Sequence, residues 1–233
     1  MIYKYCDIFH LKGAIAMKVV VVGGAAGGAS AAARLRRLDE NAEIIVLERG
    51  EYISFANCGL PYYIGEVIKK RDNLVVQSPE SMKERFNLDV RVLNEVKNID
   101  IEKKQVDIYD IKNKKNYRES YDKLILSIGA VPIKPPVKGF NSPNVFTLRD
   151  IPDTLAIKNF VDKHNPKSAV VVGAGFIGME LVENLYRRGI AITIIELAEQ
   201  VLAPLDSGNG FPDSSTLERK KGRILSKRRG KRS

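Results

Sequence analysis

Twice in this chain a run of β-branched residues opens into a glycine loop, a helical stretch follows, and a second apolar run ends on a glutamate. The first pass is Val19-Val20-Val21-Val22, then Gly23-Gly24-Ala25-Ala26-Gly27-Gly28, an alanine-rich helix to about Leu38, and a strand from Glu43 to Leu47 closed by Glu48. The second is Ala169-Val170-Val171-Val172, the full G-x-G-x-x-G of Gly173 to Gly178, a helix to about Arg188, and Ala191 to Ile195 closed by Glu196. Continuous β-branched runs suit strands buried on both faces of a parallel sheet. Strand, loop, helix and strand in that order rest a pyrophosphate on the helix N-terminus, and the glycines let the backbone approach it closely. Glu48 stands 20 residues after Gly28 and Glu196 18 residues after Gly178, where a carboxylate can accept from a ribose hydroxyl. The first loop departs at one position, with Ala25 in place of the middle glycine. A lone glycine loop is weak evidence; two, each with strand, helix and acid in register, predict two dinucleotide sites. Leu197 and Ala198 follow Glu196, so no arginine is offered to a 2′-phosphate, which favours NADH over NADPH.

Between the two units the periodicity changes. Residues 66–88 read as a polar connection and then a short helix containing Met82, Arg85 and Phe86. Residues 89–128 alternate in period two through Val90 and Val92, Val106 and Ile108. After a polar Lys114-Lys115-Asn116 turn comes Leu124 to Ile128, which predicts an antiparallel meander feeding a buried strand. Ser127-Ile128-Gly129-Ala130-Val131-Pro132 closes it, and Pro135-Pro136 to Pro143 behaves as a linker. His164 reads as part of a polar linker beside Pro166.

One stretch has no amphipathic rhythm at all: Ser54-Phe55-Ala56-Asn57-Cys58-Gly59-Leu60-Pro61-Tyr62-Tyr63. Gly59 and Pro61 directly after the cysteine suit a helix beginning there, since proline is tolerated in a first turn. That sets the thiol beside the positive end of a helix dipole, where reactive cysteines are commonly found. An inert buried cysteine is the alternative, and its position between two dinucleotide loops argues against that.

Composition narrows the class. The net charge is +10, but residues 207–233 hold nine Lys/Arg against two acids, leaving 29 basic and 26 acidic residues elsewhere, or +3. With a nearly neutral body and no basic stripe interleaved with aromatics, no nucleic-acid partner is expected. No apolar run approaches the roughly 18 residues of a membrane span, so no membrane partner is expected either. Two cysteines, Cys6 and Cys58, cannot build a disulfide framework, which points to a reducing cytoplasm. Residues 1–16 lack the features of a signal peptide and read as a non-native extension ahead of Met17. After Asp206 the apolar period stops, so 207–233 is expected to be a basic disordered tail and the second unit to be truncated. An unfinished sheet would leave apolar faces uncovered, and the chain alone is expected to fold poorly.

These motifs resemble the FAD-dependent pyridine nucleotide-disulfide oxidoreductases, within them the coenzyme A-disulfide reductase and NADH oxidase branch. The resemblance is carried by VVVVGGAAGGASAAARLRRLD (19–39), SFANCGLPYYIGEV (54–67), YDKLILSIGAVP (121–132), FTLRDIPDT (146–154) and VVVGAGFIGMELVENLYRRG (170–189). It covers residues 17 to about 206. The implied fold is α/β, with two Rossmann-like, three-layer dinucleotide-binding units and an inserted antiparallel meander. An FAD-binding domain would span 17–140 and an incomplete NAD(P)H-binding domain 141–206. Gly23, Ala25, Gly28, Glu48 and Arg49 would hold FAD, with Ser127, Gly129 and Ala130 closing over it. Gly173, Gly175, Gly178 and Glu196 would hold the nicotinamide cofactor. Cys58 would be the redox nucleophile, and Ser30, Arg34, Arg37, Ser54 and Asn57 match coenzyme A contacts. Positions 30, 34 and 37 share one helix face, and paired guanidiniums suit phosphates.

The family's relay would pass hydride from NADH to FAD and then electrons to a Cys58–S–S–CoA mixed disulfide, freeing a thiol. With Cys58 alone in the segment, a C-x4-C dithiol is excluded and the substrate supplies the second sulfur. A full-length relative would be a homodimer. Two alternatives stand beside this reading. One is an NADH oxidase or peroxidase cycling a cysteine sulfenic acid, although Ala26 replaces the histidine common in that branch's first loop. The other is a catalytically inactive flavoprotein fragment.

Overall fold

The structure is a computed structural model, and it describes residues 16–198, 201–202 and 223–226. The expected extension at 1–16 lies outside these residues apart from its last one. The chain forms two compact units, Met1–Phe55 with Gln77–Gly129, and Ala56–Val76 with Ala130–Ser233. The cysteine segment is therefore split after Phe55, and Cys58 belongs to the same unit as the second glycine loop.

In the first unit, β1 (Lys18–Val22), β2 (Glu43–Glu48), β3 (Asp89–Val92) and β7 (Lys123–Leu126) form a parallel sheet in the order β3-β2-β1-β7. One face, with Val19, Val21, Ile44 and Val46, packs on Ala29 and Ala32 of α1 (Ala26–Leu38) and Met82 of α3 (Pro79–Phe86). The other face, with Val20, Ile45 and Leu47, meets Val106, Ile108 and Tyr121. Two of those three come from an antiparallel meander of β4 (Asn94–Asp100), β5 (Gln105–Asp110) and β6 (Lys115–Ser120). The unit is thus three layers, helices, parallel sheet and meander. Both faces of β1 and β2 are covered, as their unbroken apolar runs require. Each fully buried Ile, Leu or Val contributes about 1.5–3 kcal/mol.

The structure corrects two expectations for this region. Val90 and Val92 do not open the meander, because β3 pairs parallel with β2. The strand containing Leu124 is shorter and less buried than expected, ending at Leu126, with Leu126 and Ile128 57% and 69% exposed. Polar β6 is held by charge. Glu119 accepts from Lys18 of β1 at 2.8 Å and from Arg91 of β3 at 2.7 Å, tying the meander to the parallel sheet.

In the second unit, β8 (Ser168–Val172) and β9 (Ala191–Glu196) pair in parallel, and the core of Val171, Ile192 and Ile194 packs against α4 (Ile151–His164) and α5 (Phe176–Arg187). A short helix, α2 (Leu60–Ile64), buries Ile64 in the same core. His164 is the last residue of α4 rather than part of a linker, stacked on Phe160. Asp150 caps α4 by accepting from the Asp153 amide, with Pro152 in the first turn. Disorder throughout 207–233 is also corrected in part: β10 (Arg223–Ser226) pairs parallel with β9, and the rest of that stretch lies outside the described residues. In β8, Val170 and Val172 are 60% and 71% exposed.

Candidate active site

The two glycine loops share one construction. Gly23 and Gly173 take φ of 99° and 98°, a left-handed conformation that favours glycine. Their amides donate to Leu47 and Ile195, the penultimate residues of β2 and β9, each at 2.8 Å. The next amide turns to the glutamate that ends the strand: Gly24 donates to Glu48 Oε2 at 2.7 Å and Ala174 to Glu196 Oε2 at 2.6 Å. The other oxygen is held too, Glu48 Oε1 by the Gly50 amide and Glu196 Oε1 by those of Leu197 and Ala198. Those amides of Ala198, Ala174 and Leu197 hold the Glu196 carboxyl below its ordinary range. A carboxylate offers about four acceptor sites, so each glutamate keeps room for a ribose hydroxyl.

Behind each loop a helix starts without a side-chain cap. Ala25 and Gly175 stand at the N-caps of α1 and α5, and neither first turn holds an acid. α3 and α4, by contrast, are capped by Ser78 and Asp150. The first amides of α1 and α5 are left for an anion, and the positive ends of two helices of 13 and 12 residues point at it.

The loops differ in what stands over them. A Cβ on Gly23 would lie 2.1 Å from the Ser127 carbonyl oxygen, and one on Gly27 2.7 Å from Ser127 Oγ. At Gly173 and Gly175 a Cβ would meet nothing within 4 Å among the described residues. The first loop is roofed by the chain leaving β7, where Gly129 takes φ 67° and Gly129 and Ala130 are exposed. Beside the second loop, Leu202 donates its amide to the Ala174 carbonyl at 2.9 Å.

Other expected site residues fall as follows. Ser54 (φ 42°) donates its amide to the Gly24 carbonyl at 3.0 Å, which puts it beside the first loop. Ser30, Arg34 and Arg37 are all exposed on α1, and Arg37 bends back to the Ala33 carbonyl. Arg49 is exposed just past β2. Cys58 and Asn57 are exposed on a 3-10 turn, Asn57–Gly59, that leads into α2. The helix expected after the cysteine is there, but with only five residues it is little more than one turn.

The sequence reading missed what holds this turn. Gly65 ends α2 so close to α5 that an added Cβ would lie 2.1 Å from Asn184 Oδ1 and 2.7 Å from Asn184 Cβ. Asn184 is fully buried, and Oδ1 has no hydrogen-bond partner among the described residues. Gly65→Ala is therefore expected to cost ~1–3 kcal/mol, read as a lower urea midpoint. Asn184→Gly, which vacates the space, should recover part of that loss.

The pattern of the pyridine nucleotide-disulphide oxidoreductases matches residues 17–210. The chain belongs to that family. Among relatives of the family, the coenzyme A disulfide reductase of Staphylococcus haemolyticus is 42% identical over 189 residues, which are 81% of this chain and 42% of that protein. A crystal structure of reduced Bacillus anthracis CoADR-RHD superimposes with a TM-score of 0.87 at 51% identity, covering 91% of this chain and 38% of the other. An NAD-dependent persulfide reductase from A. fulgidus gives 0.84 at 35% identity, over 90% and 39%. The chain thus spans about two fifths of the length of these relatives. No helix among the described residues is long and apolar enough to cross a membrane.

Proposed function

We propose that this chain carries the flavin seat, nicotinamide seat and redox cysteine of an NADH-driven disulfide reductase acting on coenzyme A disulfide or a related small disulfide. The observation that carries the proposal is Cys58, an exposed free thiol on a one-turn helix start, in a chain that folds two dinucleotide loops of the same construction. The residues fit the two cofactors. Gly23, Ala25, Gly28 and Glu48 offer a roofed seat, suited to a group that stays bound, and FAD bound there would carry electrons between nicotinamide and sulfur. Gly173, Gly175, Gly178 and Glu196 offer a seat of the same construction for the nicotinamide cofactor, and neither Leu197 nor Ala198 offers a cation to a 2′-phosphate.

Ile53 and Tyr63 stand where a C-x4-C partner of Cys58 would, and in this reading the second sulfur comes from the substrate. The Cys58 thiolate attacks one sulfur of the disulfide, the S–S bond breaks, and one coenzyme A leaves as thiolate. The Cys58–S–S–CoA bond is cleaved by the two electrons that NADH supplies, which releases the second thiol and restores Cys58. The sum is NADH, a proton and one disulfide giving NAD⁺ and two thiols. Exposed Arg34 and Arg37, with Ser30 on the same helix face, are the groups proposed to meet the phosphates of coenzyme A. Ser54 and Asn57 flank the thiol in sequence and are proposed to contact the same ligand.

Likeness to a persulfide reductase supports a second reading, in which the same thiol takes a sulfane sulfur from a persulfide. The test is NADH oxidation by this chain loaded with FAD, and by any longer protein that contains it, with coenzyme A disulfide, coenzyme A persulfide, cystine, peroxide and oxygen. Fastest turnover with coenzyme A disulfide, two thiols appearing per NADH, is the expected result. Turnover with oxygen alone would overturn the proposal.

A further inference from the structure

A helix as short as α2 has no stability of its own, yet it carries the turn on which the proposed nucleophile sits. Its fixation comes from α4 and α5. Ile64 is fully buried in the core those helices share. Arg188, at the end of α5, donates to the Ile64 carbonyl at 3.2 Å, satisfying an acceptor that the end of α2 leaves open. Lys158 of α4 lies 5.7 Å from the centroid of the Tyr63 ring. Beneath the turn itself, Ile68, Leu74 and Ala56 crowd the position a Gly59 Cβ would take, at 3.1–3.4 Å.

The next residue ties this together. Glu66 takes φ 61°, a conformation that glycine or asparagine usually supplies after a helix end. Its carboxylate is gripped by Lys158 Nζ at 3.1 Å, with Arg188 at 3.8 Å. Both cations also hold Asp162 of α4, at 2.9 and 2.7 Å. The Lys158 and Arg188 side chains are 15% and 18% exposed and those of Glu66 and Asp162 49% and 41%, so the cations are held from the inner side and the carboxylates meet them from the solvent side. Lys158, through its hydrogen bond, and Arg188, through its charge, lower the Glu66 carboxyl from its ordinary range.

We propose that Glu66, Lys158, Asp162 and Arg188 form a positioning cluster that locks the Cys58 turn onto α5. α5 begins at the second dinucleotide loop, with Gly175 at its N-cap and Arg188 at its C-cap. Thiol and nicotinamide seat are thereby carried by one continuous piece: loop, α5, Arg188, α2, Cys58. Among the described residues no hydrogen bond joins any of the four to Cys58; in this proposal they act through the backbone of residues 57–66. The inference rests on the reading of Cys58 as the redox nucleophile.

The test uses the 233-residue chain with Cys6→Ser, so that a nitroxide can be attached at Cys58 alone, together with amide hydrogen exchange. Lys158→Met keeps the apolar stem and removes the charge; Lys158→Arg restores the charge. Glu66→Asn removes the anion with a residue that tolerates positive φ, so its fold is preserved if Lys158→Met is unstable. Lys158→Met and Glu66→Asn are expected to speed exchange at 57–66 by about tenfold or more, with 168–196 changed by less than about twofold, and to mobilise the nitroxide. Lys158→Arg should stay close to the starting protein. Unchanged exchange in both charge-removing variants, or equal loosening of α4, α5 and the turn, would overturn the cluster. The disulfide assay separates the two ideas. If the parent chain reduces no disulfide, the proposed reaction falls and the exchange data still judge the lock; if Lys158→Met loosens the turn and turnover is unaffected, the cluster is not a positioning device while the reaction stands.

Discussion

Cys58→Ser is expected to lower NADH-driven disulfide reduction by at least about 10³-fold, the scale of losing a covalent nucleophile, while NADH still bleaches the flavin. Serine fills nearly the same volume, and the side chain is exposed on its turn, so folding gives no reason for the loss. What disappears is the sulfur. An alkoxide is not accessible near neutral pH and an oxygen cannot hold the substrate thiol as a mixed disulfide. The measurement is stopped-flow flavin bleaching by NADH, then thiol release with coenzyme A disulfide present. Cys6→Ser is the control and should retain turnover. Bleaching lost together with turnover would point to a disturbed cofactor seat, and full turnover in the serine variant would remove Cys58 from the chemistry.

Where one rule governs a stretch, the sequence was readable. β1, β2, β8 and β9 are fixed by runs of Val and Ile, and each loop by glycines whose spacing follows from a tight turn and a close helix. The approach of Gly28 and Gly178 to the carbonyls of Gly23 and Gly173 is that spacing in three dimensions. Reading failed where two rules compete or where partners lie far apart. Val90 and Val92 alternate like a meander strand, yet parallel pairing with β2 claims them, because the backbone amides and carbonyls along that edge of β2 need a hydrogen-bonding neighbour. β6 carries almost no apolar signal, since Glu119 holds it through Lys18 and Arg91 rather than through burial. α4 could have been found: Asp150, Pro152 and Asp153 are a helix-start signature that the apparent linker disguised. The cluster on Glu66 could not, because its members come from three elements at positions 66, 158 to 162 and 188, and no local pattern links them.

Gly28→Ala and Gly178→Ala are expected to be costly methyl additions in the two seats, whereas Gly175→Ala should be nearly silent in stability. A Cβ on Gly28 would lie 1.8 Å from the Gly23 carbonyl oxygen, and one on Gly178 2.1 Å from that of Gly173. Both obstacles are backbone, pinned by the amides of Gly23 and Gly173 to their sheets, so relief requires α1 or α5 to withdraw from its loop. Overpacking of this kind costs ~1–3 kcal/mol, and rigid obstacles lie at the upper end. Gly175 differs on two counts: a Cβ there meets nothing within 4 Å among the described residues, and its φ of −75° suits any residue. The first loop has already made that substitution, since Ala25 stands at the N-cap of α1 as Gly175 does at that of α5. Gly175→Ala should therefore shift stability by less than about 0.5 kcal/mol, like a surface change. Urea unfolding orders the three variants. Cofactor assays then divide them by seat: Gly28→Ala should lose bound flavin, while Gly178→Ala should keep flavin and lose its reduction by NADH. Flavin lost from Gly178→Ala but kept by Gly28→Ala would mean that the roles of the two loops are exchanged.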